Sequence, residues 1–134
     1  MPLSKQLESR LSQAARDAAS NAHSPYSQLN VGAAVLTNGD EVFCGCNVES
    51  ASYGLTCCAE RTALFSAIAA GHRAGSMTAI VIYVPGETAF TACGACRQVI
   101  SELMQPEAPV ISICDGSDRI DWTVAECLPS PFSL

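Results

Sequence analysis

The first part of the chain carries an apolar stripe at helical spacing. Small or aliphatic residues recur every three or four positions between residues 3 and 22, which predicts an amphipathic helix. Proline disfavours helical geometry in the residue before it, so Ser24 and Pro25 mark the end of this helix. The stripe consists of Leu3, Leu7, Leu11, Ala14, Ala15, Ala18 and Ala22.

Two strand-like segments follow, over residues 31–36 and 41–46. The pair Asn38-Gly39 lies between them, and Asn-Gly between two such segments is a strong hairpin signal. The sequence therefore predicts a β-hairpin directly after the first helix.

The remainder of the chain alternates helices with strands. One helix is predicted from near Cys57 to a glycine stop at Gly71, and a second from about Gly94 to Gln105. Thr123 and Glu126 have the spacing of a capping box, which predicts a last short helix. Short apolar segments rich in β-branched residues predict buried strands, and these cover residues 79–84 and 110–114, with a shorter strand at 120–122.

This order of elements predicts an α/β layered domain that begins with a hairpin. The chain has 134 residues, and neither a repeat nor a linker divides it. We therefore expect a single domain that spans residues 1–134.

The composition limits the range of functions that the protein can have. The net charge is −6 with only seven Lys and Arg residues and no basic cluster, which argues against a nucleic-acid partner. No apolar segment is long enough to span a membrane, and the N-terminus lacks the pattern of a signal peptide, so we expect a cytoplasmic protein. Because the sequence is 49% hydrophobic and 15% charged, we also expect apolar surface to be buried against other copies of the chain.

Eight cysteines need an explanation. Disulfide scaffolds are usually smaller, secreted and denser in cysteine. Reduced thiols are the better interpretation for a chain without an export signal, and a thiolate metal site requires them.

Three of these cysteines form a metal-site pattern, Cys58-Ala59-Glu60 followed by Cys93-Gly94-Ala95-Cys96. Both groups lie at predicted helix N-termini, where free N–H groups and the helix dipole favour thiolates. The 34 residues between Cys58 and Cys93 suffice for one helix and one strand, which could return the second group to the same sheet edge. Three thiolates leave the fourth position of a tetrahedral zinc ion open, as in a catalytic site.

Two charged residues beside Cys58 complete the pattern. Glu60 can accept and return a proton next to the metal, which agrees with the general logic of zinc deaminases. Three thiolates on Zn²⁺ give the cluster a formal negative charge, and Arg61 is the best candidate to donate hydrogen bonds to the sulfur atoms. Cys57 is a rival ligand, but only Cys58 has a glutamate two positions later.

The chain resembles the small homotetrameric zinc-dependent cytidine deaminases over nearly its whole length. The resemblance implies a three-layer α/β/α fold with a mixed five-stranded sheet between helices. It also implies hydrolysis of cytidine and 2′-deoxycytidine to the uracil nucleosides and ammonia in pyrimidine salvage. Its motifs are residues 24–27 (SPYS), 31–34 (VGAA), 45–49 (GCNVE), 58–63 (CAERTA), 93–98 (CGACRQ), and Leu128-Pro129 with Phe132.

The resemblance also implies roles for individual residues. Cys58, Cys93 and Cys96 would bind one zinc ion per subunit, and Glu60 would protonate N3 of the pyrimidine and then the leaving amine. The remaining implied residues contact the substrate: Asn47 and Glu49 at the ribose, the backbone N–H of Ala59 and the side chain of Leu29 at the base, and Tyr53 and Phe132 in the pocket of a neighbouring subunit.

Two positions depart from the family pattern. Leu29 stands where the family usually has a phenylalanine that packs on the base, and Ala92 stands where it has a proline. Leu29 keeps open the alternative of a modified aminopyrimidine nucleoside, such as a nucleoside antibiotic, as substrate. A non-enzymatic alternative is a structural zinc module in which Cys57 or Cys46 supplies a fourth thiolate.

Overall fold

Five strands form one mixed sheet in the computed structural model, which describes residues 2–134. The strand order is β2-β1-β3-β4-β5. All pairs are antiparallel except β3 with β4, which run parallel. The elements in chain order are α1 (Lys5–Ala19), β1 (Gly32–Thr37), β2 (Val42–Cys46), a 3₁₀ turn (Tyr53–Leu55), α2 (Ala59–Ala69), β3 (Met77–Tyr83), α3 (Gly94–Leu103), β4 (Pro109–Ile113), β5 (Arg119–Thr123) and α4 (Val124–Cys127).

Helices cover both faces of the sheet. Leu11 and Ala15 of α1 pack with the side chains of Ala34, Val81 and Ile111 on one face. The helices α2, α3 and α4 pack on the other face, in a cluster that includes Leu64, Ile100, Val124, Val35 and Ile80. The alternating strand residues thus serve two cores, and the three-layer α/β/α fold expected from the resemblance is confirmed.

The predicted hairpin is confirmed, with a different turn geometry. Strands β1 and β2 pair from Gly32 with Cys46 to Leu36 with Val42. The residue with positive φ is Asp40, at 64°, rather than Gly39. Aspartate tolerates this region because its short polar side chain can hydrogen-bond locally.

Helix boundaries differ from the predicted ones by a few residues. Helix α1 ends at Ala19, well before Pro25, and α3 ends at Leu103 because Met104 is extended and bridges to Met77 of β3. The stop at Gly71 is confirmed, with a φ of 106°. The capping box of Thr123 and Glu126 is also present at the start of α4.

The directions of the strands bring several loops together at one edge of the sheet, where β1 begins and where β2 and β3 end. Gly32, which begins β1, pairs with Cys46 at the end of β2 and with Tyr83 at the end of β3. The segments next to these residues therefore meet, and they lead into α2 and α3. The sequence-predicted site residues lie at this edge.

Close packing on a glycine sets the position of α2 against β2. A Cβ atom on Gly45 would overlap the Thr62 hydroxyl, the Ala63 backbone nitrogen and the Ala59 carbonyl oxygen. Two of these three are helix backbone atoms, which cannot rotate away as a side-chain end can. The N-terminal part of α2 therefore rests directly on the strand.

We expect Gly45→Ala to destabilise the fold by roughly 1–3 kcal/mol, because overpacking forces a backbone shift. Thermal and urea unfolding would measure this change. Gly39→Ala is the matched control, since a Cβ there meets only Thr37 Oγ1 at 3.9 Å. Equal stability of the two variants would contradict the close contact at Gly45.

Candidate active site

Three thiols converge at the N-termini of two helices. Cys58 is the N-cap of α2 and Cys93 is the N-cap of α3, as the sequence predicted. Cys96 lies in the first turn of α3 and is fully buried. The sulfur atoms of these three residues all lie within 4.8 Å of one another.

The spacing of the sulfur atoms fits a zinc ion. The Sγ atoms of Cys58 and Cys93 are 3.8 Å apart, and two thiolates on a tetrahedral zinc with Zn–S bonds of 2.3 Å would be about 3.8 Å apart. Among the residues described, no other Cys, His, Asp or Glu belongs to this cluster. Cys57 and Cys46 therefore do not close the site with a fourth thiolate, as the structural-module alternative requires.

All eight cysteines are free thiols in residues 2–134, as expected from the sequence. Within the cluster, the negative charge falls on Cys58. The hydrogen bond from Cys96, and those from Arg61 and Cys93, lower the pKa of Cys58 to about 5. The same bond to Cys58, together with burial, raises the pKa of Cys96. The cluster thus offers an anionic donor set, which suits a divalent cation.

Arg61 lies where the sequence predicted it, against the sulfur atoms. Its Nη2 donates to Cys58 Sγ at 3.3 Å, and the hydrogen bonds to Cys58 and Cys96 raise the pKa of the guanidinium. The Nε atom is buried without a hydrogen-bond partner among the described residues. This cost of burial is tolerated because the guanidinium charge lies beside thiolates.

Glu60 lies two residues after Cys58, in the first turn of α2, and is 4% exposed. Burial raises the pKa of its carboxyl group, and the negative charge of Cys58 raises it further. Both effects favour the protonated form. A carboxyl group with a raised pKa can act as a general acid as well as a general base.

A cavity of about 240 Å³ opens onto this cluster. Its wall includes Cys58, Glu60 and Cys93, and it also includes Leu29, Asn47, Glu49 and Ala59. The structure thus brings together seven of the residues predicted from the sequence. It also adds wall residues to which the sequence analysis gave no role in the site, which are Ser27, Val31, Thr56, Ile82, Val84, Phe90 and Thr91.

Phe90 is the one aromatic residue in this wall among the residues described. It lies in the loop before Cys93, and its side chain is 46% exposed. No motif marks an apolar loop residue as a wall residue, so sequence reasoning had no signal for it. Its presence supplies an aromatic surface in a cavity where position 29 is leucine.

Asn47 and Glu49 fix the backbone of residues 26–31, part of which lines the same cavity. The Asn47 amide accepts from the Val31 N–H and donates to the Leu29 carbonyl, both at 2.8 Å. The Glu49 carboxylate accepts from the N–H groups of Tyr26 and Ser27 at 3.0 and 3.1 Å, and also from the Ser27 hydroxyl. The hydrogen bond from Ser27 is the main cause of the lowered pKa of Glu49, so this residue is a carboxylate at neutral pH.

Tyr53 and Phe132 lie outside this cavity. Tyr53 lines an adjacent cavity of about 390 Å³ that shares Ser27, Glu49 and Thr56 with the first. Phe132 contributes its carbonyl to Gln98 Nε2 at 2.9 Å while its side chain is 70% exposed. Within one chain, the structure therefore does not bring Phe132 to the cluster of three thiols.

Comparisons with known proteins agree with this geometry. The family model for the cytidine and deoxycytidylate deaminase zinc-binding region matches residues 5–112. The chain is 41% identical over 118 residues to a cytidine deaminase of Sporosarcina psychrophila, covering 88% of this chain and 85% of that protein. It is 48% identical over 123 residues to a probable cytidine deaminase of Dictyostelium discoideum, covering 90% of this chain and 80% of that protein.

A solved structure shares the whole fold. The crystal structure of the cytidine deaminase from Burkholderia pseudomallei superposes with a TM-score of 0.90 at 45% identity, covering 97% of this chain and all of that one. The family match contains all three thiols, Glu60 and Arg61. The chain therefore belongs to the cytidine and deoxycytidylate deaminase family defined by this zinc-binding region.

Proposed function

We propose that the protein hydrolyses cytidine and 2′-deoxycytidine to uridine and 2′-deoxyuridine with release of ammonia, and that it serves pyrimidine salvage in the cytoplasm. The observation that carries this proposal is a cavity whose wall contains the buried Glu60 together with Cys58 and Cys93, two members of the cluster of three thiols. The family relationship supports the same reaction.

Cys58, Cys93 and Cys96 would hold the zinc ion. Bound there, zinc acts as a Lewis acid that lowers the pKa of a water molecule. The Arg61 guanidinium offsets part of the negative charge of the thiolates, since it already donates to Cys58. Less charge on the sulfur atoms leaves the metal a stronger Lewis acid.

Glu60 would carry the protons of the reaction. Its carboxylate would accept one proton from the attacking water and deliver it to N3 of the pyrimidine. It would then accept the second proton of that water from the new C4 hydroxyl group and deliver it to the amine, which leaves as ammonia when the C4–N4 bond breaks. One carboxyl group can serve both as the base that accepts a proton and as the acid that donates it, because its raised pKa makes its protonated form more accessible. The first backbone N–H groups of α2, that of Ala59 among them, have no partner within the helix and would orient the base.

The cavity wall favours a neutral nucleoside over a nucleotide. Among residues 2–134, those that line the two adjacent cavities include no Lys, Arg or His. The Glu49 carboxylate lies between them and would repel a phosphate. Asn47 and Glu49 have acceptor positions left beyond their bonds to the 26–31 backbone, and these would hold the ribose hydroxyl groups.

A homotetramer would complete the pocket. Large apolar side chains that no other part of the chain covers surround the second cavity and the C-terminus, including Tyr53, Leu55 and Phe132 at 80%, 75% and 70% exposure. Burial of such surface favours association. In this proposal Tyr53 and Phe132 of neighbouring copies close the nucleoside site.

The test is the ultraviolet change on mixing zinc-assayed protein with cytidine or 2′-deoxycytidine, and separately with their 5′-monophosphates. We expect about one zinc per chain, conversion of both nucleosides, and at least a 10-fold lower kcat/KM for the monophosphates. A 10-fold ratio corresponds to roughly 1.4 kcal/mol of transition-state stabilisation. Preference for the monophosphates would contradict the charge argument, and zinc without conversion of any of the four would contradict the reaction.

A further inference from the structure

The loop between β3 and α3 carries Cys93 at its end and has no helix or strand of its own. It covers residues 84–92, and contacts with neighbouring segments fix it. The Gly86 N–H donates to the Asp115 carboxylate and the Ala89 N–H to the Asp118 carboxylate, both at 2.9 Å. Neither contact lies next to the metal ligand.

Arg97 supplies the contact that lies next to Cys93. Its Nε donates to the Ala92 carbonyl at 2.7 Å and its Nη2 to the Thr91 hydroxyl at 3.0 Å. The guanidinium carbon lies 5.3 Å from the centre of the Trp122 ring, over its face. One side chain thus links the two residues before Cys93 to strand β5.

The backbone before Cys93 depends on such a contact. Ala92 is 3% exposed, and a buried carbonyl without a partner is costly. Alanine leaves φ free, whereas proline would fix it. The Cys93 residue is exposed. Among the described residues, its sulfur atom has only the Cys96 N–H, at 3.5 Å, and the Cys58 sulfur atom, at 3.8 Å, within hydrogen-bond distance.

We propose that Arg97 is a positioning residue that fixes the direction in which Cys93 presents its thiolate to the metal. The inference rests on the proposed zinc site, but Arg97 is not part of the sulfur cluster and does not itself line the cavity, although it donates to Thr91, which does. Its planar guanidinium can hold the Ala92 carbonyl and the Thr91 hydroxyl in parallel while stacking on Trp122. A lysine cannot reproduce that arrangement.

Zinc release into a chromophoric chelator tests the role independently of turnover. We expect Arg97→Gln to release zinc roughly 10-fold faster or more, the size of effect typical for a residue that orients a metal ligand. Arg97→Lys keeps the positive charge but replaces the planar guanidinium by a single ammonium group. Its rate of zinc release should therefore fall between the rates of the wild type and Arg97→Gln. In the zinc-saturated variants kcat should fall while the KM for cytidine changes little, because Arg97 does not line the cavity.

Asp118→Asn is the matched control, since it loosens the same loop at Ala89, three residues further from the ligand than Ala92. It should lower the melting temperature without accelerating zinc release. Arg10→Gln, which removes an exposed arginine on the opposite face of the sheet, should change neither quantity. Wild-type release rates in Arg97→Gln, or equal acceleration in Asp118→Asn, would overturn the proposal. Both results could be read even if the wild-type protein failed to deaminate cytidine.

Discussion

Glu60→Gln is expected to bind zinc and nucleoside and to turn over roughly 10²- to 10⁴-fold more slowly than the wild type. The amide has nearly the same shape as the carboxyl group but cannot accept a proton from water or deliver one to the pyrimidine. The loss should therefore appear in kcat with little change in KM. Steady-state kinetics with cytidine, followed in the ultraviolet, would measure it.

The same substitution should leave metal affinity and stability unchanged or raised. Glu60 is buried next to the Cys58 thiolate, and both facts raise its pKa. A neutral amide removes the like-charge repulsion within the cluster. Zinc content and the melting temperature of Glu60→Gln would test this, and a loss of zinc would instead indicate that the carboxyl group supports the metal site.

Glu107→Gln provides the matched control. Glu107 is an exposed glutamate just before β4, at the edge of the sheet away from the thiol cluster. The same chemical change there should leave kcat and KM unaltered. Wild-type activity in Glu60→Gln would remove Glu60 from the proton transfers that we propose.

The sequence predicted the elements of this fold because each has a strong local signal. The apolar stripe of α1, the two apolar segments of β3 and β4, and the capping box at Thr123 all depend on neighbouring residues alone. Boundaries were less predictable because tertiary contacts decide them. Helix α3 ends early where Met104 bridges to Met77, and no local pattern announces that contact.

The cluster of three thiols was also predictable, because its cysteines lie at the starts of helices that have their own local signals. Cys58 and Cys93 are N-caps, and the α2–β3 segment between them returns the chain to the same sheet edge. The position of Arg61 follows from the helix, since it lies three residues after Cys58 and donates to its sulfur. The family resemblance, rather than spacing, identified Asn47 and Glu49.

Other parts of the site depend on contacts between segments far apart in sequence. Phe90 and Val31, the residue before β1, line the same cavity although 59 positions separate them in the chain. Arg97 packs over the ring of Trp122, which lies 25 positions later in the chain. Sequence reasoning gave Arg97 no role, since a single arginine after a cysteine ligand indicates nothing about what it touches.

Removal of zinc by a strong chelator is expected to abolish deamination and to lower the melting temperature by roughly 10 °C or more. The second effect follows from linkage, because a ligand present at about 1,000 times its Kd stabilises the folded state by about 4 kcal/mol. Re-addition of zinc should restore both quantities. Calorimetry and the ultraviolet assay on the same samples would measure them.

Cysteine variants separate the ligands from their neighbours in this test. Cys96→Ser removes a fully buried thiol of the cluster, so it should lose zinc and activity. Cys57→Ser changes the residue adjacent to Cys58, whose thiol is not part of the cluster, and it should keep both. Burial raises the pKa of the Cys57 thiol, which makes it a poorer ligand than Cys58 with its lowered pKa. The assignment of the ligands would be wrong if Cys57→Ser lost zinc, because Cys57 is not assigned as a ligand, or if Cys96→Ser retained it, because Cys96 is.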